Sequence, residues 1–239
     1  MIIRFATEAD APAIAAIYAP YVENTAVSFE YDAPTPDEVR QRIRKVTDAE
    51  LPWLVAIEND KLLGYAYATR HKERAGYQWC VESSVYVDTA SHRNGVGRAL
   101  YTRLFDILRD LGYENVYAGT TLPNDQSVNF HKSFGFVEVG RYWNVGFKHG
   151  KWHDTAWWHL RDRIPAHSSC SAETPSRGCQ PAGLNAAFPA TARLKDVETA
   201  SQSRASSLRR AMSPSPGVGR IRCELQSIVS RCWLARSHT

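Results

Sequence analysis

Large aromatic side chains stop almost entirely at Pro165. All eleven Tyr, seven of the eight Phe and six of the seven Trp lie in residues 1–165, and only Phe188 and Trp233 follow. Burial of such side chains offsets the entropy of ordering a chain, so residues 1–165 are the part equipped to fold. Residues 166–239 hold thirteen Ser and four of the five Cys, with nine Arg and one Lys against four acidic residues. That composition predicts a low-complexity, disordered Ser/Arg-rich extension, with a weak helix across residues 224–234. The formal charge of +4 therefore divides into −2 for residues 1–165 and +6 for the extension. Arg204, Arg209 and Arg210 could form a patch for nucleic acid or an anionic membrane. The plainer expectation is an extension with no nucleic-acid and no membrane partner.

Several classes fall away at once. No window of eighteen consecutive apolar residues exists for a transmembrane helix. The opening residues, MIIRFATEAD, lack the basic and apolar regions of a secretory signal. Five cysteines without a CxxC spacing fit a reducing, cytoplasmic compartment. Cys170/Cys179 and Cys223/Cys232 are each nine apart, which is not the spacing of a zinc site, and no metal is expected.

Along residues 1–165 the periodicity alternates between strand and helix. Residues 2–5 read as a strand, and Thr7 as an N-cap with Glu8 and Asp10 in the following turn. Ile14, Ile17, Tyr18 and Tyr21 recur at helical spacing, and Thr35-Pro36-Asp37-Glu38 opens a second helix. Residues 51–57 and 62–69 form a predicted hairpin. A β-rich run over residues 82–87 leads through a glycine turn into a helix with Leu100, Leu104, Ile107, Leu108 and Leu111 on one face, stopped by Gly112. A strand over residues 115–119 and a helix over residues 124–134 follow, then a hairpin of residues 136–147 and 151–160. The order β-α-α-β-β-β-α-β-α-β-β implies one α/β domain with a mixed sheet.

The glycine turn carries chemistry. A strand that feeds Gly95-Val96-Gly97 into a helix offers unpaired backbone N–H groups at the positive end of the helix dipole, a site suited to phosphate. It is not a dinucleotide fingerprint, since Leu100 stands where a third glycine belongs, and no GKS/T follows for a Walker loop. His149 and His153 are four apart, but in a predicted hairpin they share no helical face for a metal.

Several motifs in order resemble one family. His92-Arg93-Asn94-Gly95-Val96-Gly97 resembles the Q/R-x-x-G-x-G/A turn of the GNAT acyl-CoA-dependent N-acetyltransferases, with His in the usual Gln/Arg position. An Asn124-led helix closing in Phe134-Gly135-Phe136 is similar to the family's later helix. Glu82-Ser-Ser-Val-Tyr-Val87, Leu122-Pro-Asn-Asp125, Lys72-x-Arg74-x-x-Tyr77 and the segment from Phe147 to Asp154 resemble the phosphinothricin acetyltransferase branch. The resemblance spans essentially all of residues 1–165. It implies the GNAT fold, a mixed, mostly antiparallel central sheet flanked by helices. It also implies acetyl-CoA as co-substrate and acetylation of a small amino-acid-like amine such as phosphinothricin, methionine sulfone or sulfoximine, in a homodimer.

The resemblance also implies roles. Glu82 is the candidate general base, at the head of a central strand where partial burial would raise its pKa. His131 is either the acid for the departing thiolate or a partner of Glu82. Val85, Tyr86 and Val87 would offer backbone groups to the acetyl-pantetheine arm. His92, Arg93, Asn94, Gly95, Val96, Gly97 and Arg98 would hold the pyrophosphate. Asn124 would touch the pantetheine or cap its own helix. Lys72, Arg74 and Tyr77 would face the acceptor's anionic groups, with Phe29 as an aromatic wall. Trp143, Trp152, Trp157 and Trp158 are expected in sheet and dimer-interface packing. The competing reading is a non-catalytic acyl-CoA-binding module of the same fold, against which Glu82 and His131 argue.

Overall fold

Thr7 and Thr35 set the geometry of the first half of the chain. In the computed structural model, which describes residues 1–161, strand β1 (Ile2–Phe5) leads to a short 3-10 turn over Glu8–Asp10. The Asp10 carboxylate accepts from both the Thr7 N–H and its hydroxyl, at 2.7 and 3.0 Å. Helix α1 (Ala11–Asn24) follows directly. Helix α2 (Pro36–Asp48) opens in a capping box, with Glu38 N–H on the Thr35 hydroxyl and the Glu38 carboxylate on the Thr35 N–H. The expectations for residues 166–239 lie outside the described residues.

The elements follow the predicted order along the chain. Strands β2 (Trp53–Glu58) and β3 (Lys61–Arg70) turn through Asn59 and Asp60, both at positive φ, as a tight two-residue hairpin requires. Strand β4 (Cys80–Val87) leads to helix α3 (Val96–Asp110), then β5 (Asn115–Leu122) and helix α4 (Asp125–Ser133). Strands β6 (Val137–Lys148) and β7 (Lys151–Arg161) close the sheet through His149-Gly150. The seven strands lie in the order β1-β2-β3-β4-β5-β7-β6, antiparallel throughout except for β4 and β5. Leu100, Leu104, Ile107 and Leu108 of α3 are buried against the sheet, each contributing about 2 kcal/mol of apolar burial. Among the described residues no helix is long and apolar enough to cross a membrane.

Lys148 ends β6 rather than beginning the turn, and its ammonium is buried. Its Nζ donates to the carbonyls of Val22, Ser28 and Glu30 at 2.6–2.7 Å, three acceptors for three N–H bonds. Burial pulls its pKa down, while the Glu30 carboxylate pushes the other way. This one cation ties the end of α1 and the following loop to the far hairpin. Phe29 lies in that loop, and its ring fills the space a side chain at Gly146 would need. Lys148→Met keeps the stem but strips three buried carbonyls of their donor. It is expected to cost about 3 kcal/mol in urea unfolding; a loss under about 0.5 kcal/mol, the scale of an ordinary surface change, would contradict the assignment.

Candidate active site

The site begins where two strands part. β4 and β5 pair in parallel only over Cys80–Asn115, Val81–Val116 and Glu82–Tyr117. Beyond that rung, β4 stays with β3 out to Val87, while β5 stays with β7 out to Leu122. The strands therefore diverge, and backbone groups of residues 83–87 that would face β5 instead face a cleft. A cavity of about 80 Å³ sits in this wedge, lined by Ser83, Val85 and Tyr86 of β4, Gly119 and Thr120 of β5, and His131 of α4.

Glu82 stands at the apex of the wedge. It is the third residue of β4 rather than its head, because pairing with β3 runs back to Val81 and pairing with β5 to Cys80. Its carboxylate accepts from Nδ1 of His71 at 2.8 Å. His71 is a site residue that the sequence patterns did not single out. It immediately precedes Lys72, just beyond the end of β3, and no periodicity distinguishes it.

His131 is buried on α4, at the cleft's other wall. A carbonyl only accepts, so Nδ1 carries the proton it shares with the Ser127 carbonyl at 2.8 Å. Nε2 is then an acceptor, with the Tyr101 hydroxyl 3.4 Å away. The Ser83 hydroxyl in turn donates to Tyr101 at 3.3 Å. Burial pushes the His131 pKa down, opposed by the Ser127 carbonyl, so the ring is neutral near pH 7. Burial likewise drives the Tyr101 phenol well above its usual value. Tyr101 was not among the expected site residues; on α3 it reads only as one more core position.

The glycine turn sits at the open end of β4. Gly95 adopts φ +76° and is the N-cap of α3, a conformation that favours glycine, and Arg93 is also left-handed at +64°. A Cβ on Gly97 would lie 3.5 Å from the Phe130 ring and 3.6 Å from Val87, so this turn joins β4, α3 and α4. Three expected cofactor residues have their side chains engaged within the protein. His92 Nε2 faces the Tyr21 hydroxyl at 2.8 Å and the Val87 carbonyl at 3.1 Å. Arg98 donates to the Ser133 hydroxyl at 2.9 Å and lies over the Phe134 ring. Of the two uses weighed for Asn124, its side chain makes the helix cap, accepting from Ser127 N–H at 3.0 Å. Tyr86 turns its ring onto Tyr18, Tyr21 and Tyr65.

The expected acceptor residues occupy two loops. Lys72, Arg74 and Tyr77 are exposed on the segment between β3 and β4, and the Tyr77 ring meets His71 edge-on at 6.3 Å. Phe29 packs against Gly146 and the His153 ring. His153 donates Nε2–H to the Lys148 carbonyl, and the Asp154 carboxylate accepts from Asn144 N–H. The tryptophans divide: Trp158 is buried in the core, whereas Trp143 and Trp152 are 68% and 59% exposed.

Known proteins share this fold. The model of the acetyltransferase (GNAT) domain matches residues 3–157. A phosphinothricin N-acetyltransferase of Streptomyces viridochromogenes is 39% identical over 164 residues, covering 69% of this chain and 89% of that protein. An L-methionine sulfoximine/L-methionine sulfone acetyltransferase of Salmonella typhimurium is 34% identical over 177 residues, covering 71% of this chain and all of that protein. The crystal structure of a GNAT superfamily phosphinothricin acetyltransferase from Sinorhizobium meliloti, in complex with acetyl-CoA, superposes with a TM-score of 0.65 at 30% identity, covering 75% of this chain and 95% of that one. A chain matched by the family's model over most of its described length, with a sheet that superposes on a member's structure, belongs to the GNAT family: it is an acetyltransferase that takes its acetyl group from acetyl-CoA.

Proposed function

We propose that this enzyme acetylates the amine of a small amino-acid-like acceptor, of the phosphinothricin or methionine sulfone/sulfoximine kind, and so serves detoxification or resistance. The observation that carries the proposal is the placement of Glu82 at the apex of the wedge. An acceptor amine arrives as an ammonium and must lose a proton before it can attack a thioester. The Glu82 carboxylate takes that proton, directly or through a water. Bound acetyl-CoA supplies the activated acyl group. The backbone of residues 85–87 along the open edge of β4 suits the acetyl-pantetheine arm. N–H groups over residues 93–98, at the positive end of α3, suit the pyrophosphate.

His131 acts on the accepting side. Its Nδ1–H is committed to Ser127, and its neutral ring has a lone pair at Nε2. This favours the second-base role over donation to the thiolate. Lys72 and Arg74 supply cations for the acceptor's carboxylate and oxyanion, while Tyr77 and Phe29 frame its apolar part. Residues 1–165 form the complete catalytic domain in this reading, with residues 166–239 a dispensable extension and the cytoplasm the site of action.

The test is thiol release from acetyl-CoA across a panel of phosphinothricin, methionine sulfone, methionine sulfoximine and ordinary amino acids, run on the full chain and on residues 1–165. At least one amino-acid-like acceptor is expected to release thiol at equal rates with both. Glu82→Gln is expected to lower turnover by about 10²-fold. Failure of every amine to release thiol would overturn the acceptor class, and an unchanged Glu82→Gln rate would overturn the base.

The enzyme acts as a homodimer in the same proposal. β6 is an edge strand, and Val137, Val139, Tyr142, Trp143 and Val145 are each about half or more exposed on it. An exposed apolar edge of this length invites association unless it is covered, and a second copy covers it symmetrically. Sedimentation of the native chain is expected to give twice the monomer mass. Tyr142→Glu with Trp143→Glu is expected to give the monomer; a native monomer would contradict the proposal.

A further inference from the structure

His71 occupies a position with more order than a loop residue needs. It follows β3 directly, its backbone N–H donates to the Cys80 carbonyl at 3.3 Å, and its side chain is only 17% exposed. The imidazole stacks on Tyr117 at 4.5 Å between centroids and 18° between planes. Trp157 and Tyr77 close on it edge-on at 6.2 and 6.3 Å. Tyr117 is held from behind by His159, stacked at 4.8 Å, whose Nε2 is 3.0 Å from Asn115 Oδ1. Tyr117 is also the β5 residue paired with Glu82 at the last rung before the wedge opens. The aromatic stack therefore fixes the plane of His71 against the strand pair that carries Glu82.

The result is one short hydrogen bond. Nδ1 of His71 lies 2.8 Å from Oε1 of Glu82. A carboxylate on a two-torsion stem has several rotamers of similar energy, and a single fixed donor selects among them. Holding one oxygen leaves the other as the proton acceptor. We infer that His71 is a positioning residue for acetyl transfer: through Nδ1–H it orients the Glu82 carboxylate so that Oε2 meets the acceptor amine. This inference rests on the reading of Glu82 as the base. The step itself balances simply: an N–H bond of the substrate ammonium breaks, an O–H bond forms at Glu82, and the Nδ1–H bond of His71 stays intact.

Paired variants separate the hydrogen bond from the stack. His71→Phe keeps an aromatic ring on Tyr117 but has no N–H; His71→Asn places an amide donor near the Nδ1 position but loses the ring. Steady-state rates on the full chain are expected to show kcat down by about tenfold to a hundredfold for His71→Phe, with KM for acetyl-CoA within about twofold, because the cofactor turn is untouched. His71→Asn is expected to retain kcat within about threefold. Glu82→Gln combined with His71→Phe is expected to be no slower than Glu82→Gln alone, since a positioning residue has nothing left to position. Should His71→Phe fail to fold, His71→Gln, which reaches with its donor to the wrong place, takes its role and is expected to fall likewise. Retained kcat in His71→Phe, an equal fall in His71→Asn, or effects that multiply in the double variant would each overturn the inference. If Glu82→Gln alone keeps full turnover, the Glu82 reading fails first, a distinct result.

Discussion

Beyond Glu82 and Tyr117, β4 and β5 pair no further, and much of this molecule follows from that separation. Two parallel strands that stop pairing leave donors and acceptors facing each other across a gap. Packing keeps the gap open. Each strand is held on its outer edge, β4 by β3 through Val87 and β5 by β7 through Leu122, so neither can swing in to pair. Ser83, Tyr101, Thr120 and His131 fill part of the space with polar groups bonded mainly to one another and to Ser127. An extended amide-bearing arm is the natural occupant, since it can pair with a strand edge as another strand would.

Charge is handled locally rather than globally. Residues 1–165 are nearly neutral in sum, yet two buried ionisable groups are each settled differently. His131 is kept neutral by burial. Lys148 is surrounded by three carbonyls and so anchors the loop that carries Phe29. Glu82 is half-buried, with an imidazole partner held in place by stacking. In the proposed mechanism, that division leaves one carboxylate to exchange protons with the substrate while its surroundings are fixed.

Elements with strong local signals were legible from the chain alone. The Thr35 capping box, the Gly112 and Gly135 helix stops at φ +84° and +89°, and the apolar face of α3 all sit where their spacing puts them. The glycine turn was legible because Gly95 needs its left-handed backbone. Contacts between distant segments were not. His71 meets Glu82 only because β3 and β4 pair in a register that no local pattern encodes, and Tyr101 reads as one more apolar helix position until α4 brings His131 beside it. Lys148 reads with His149 and Gly150 as the turn between residues 136–147 and 151–160. Its burial depends on Val22, 126 residues away in the chain. The Arg98 side chain, read as a phosphate contact, donates to Ser133, and that of His92 faces the Tyr21 hydroxyl.

A crystal structure of the full chain with coenzyme A bound tests the central claim most directly, since it locates the thiol relative to the wedge. The account predicts the pyrophosphate on the N–H groups of residues 93–98, the pantetheine arm beside residues 85–87, and the sulfur in the cavity between Ser83 and Thr120, facing the Glu82 end. A thiol outside the wedge, or β4 and β5 found paired beyond Glu82 with the arm elsewhere, would contradict it.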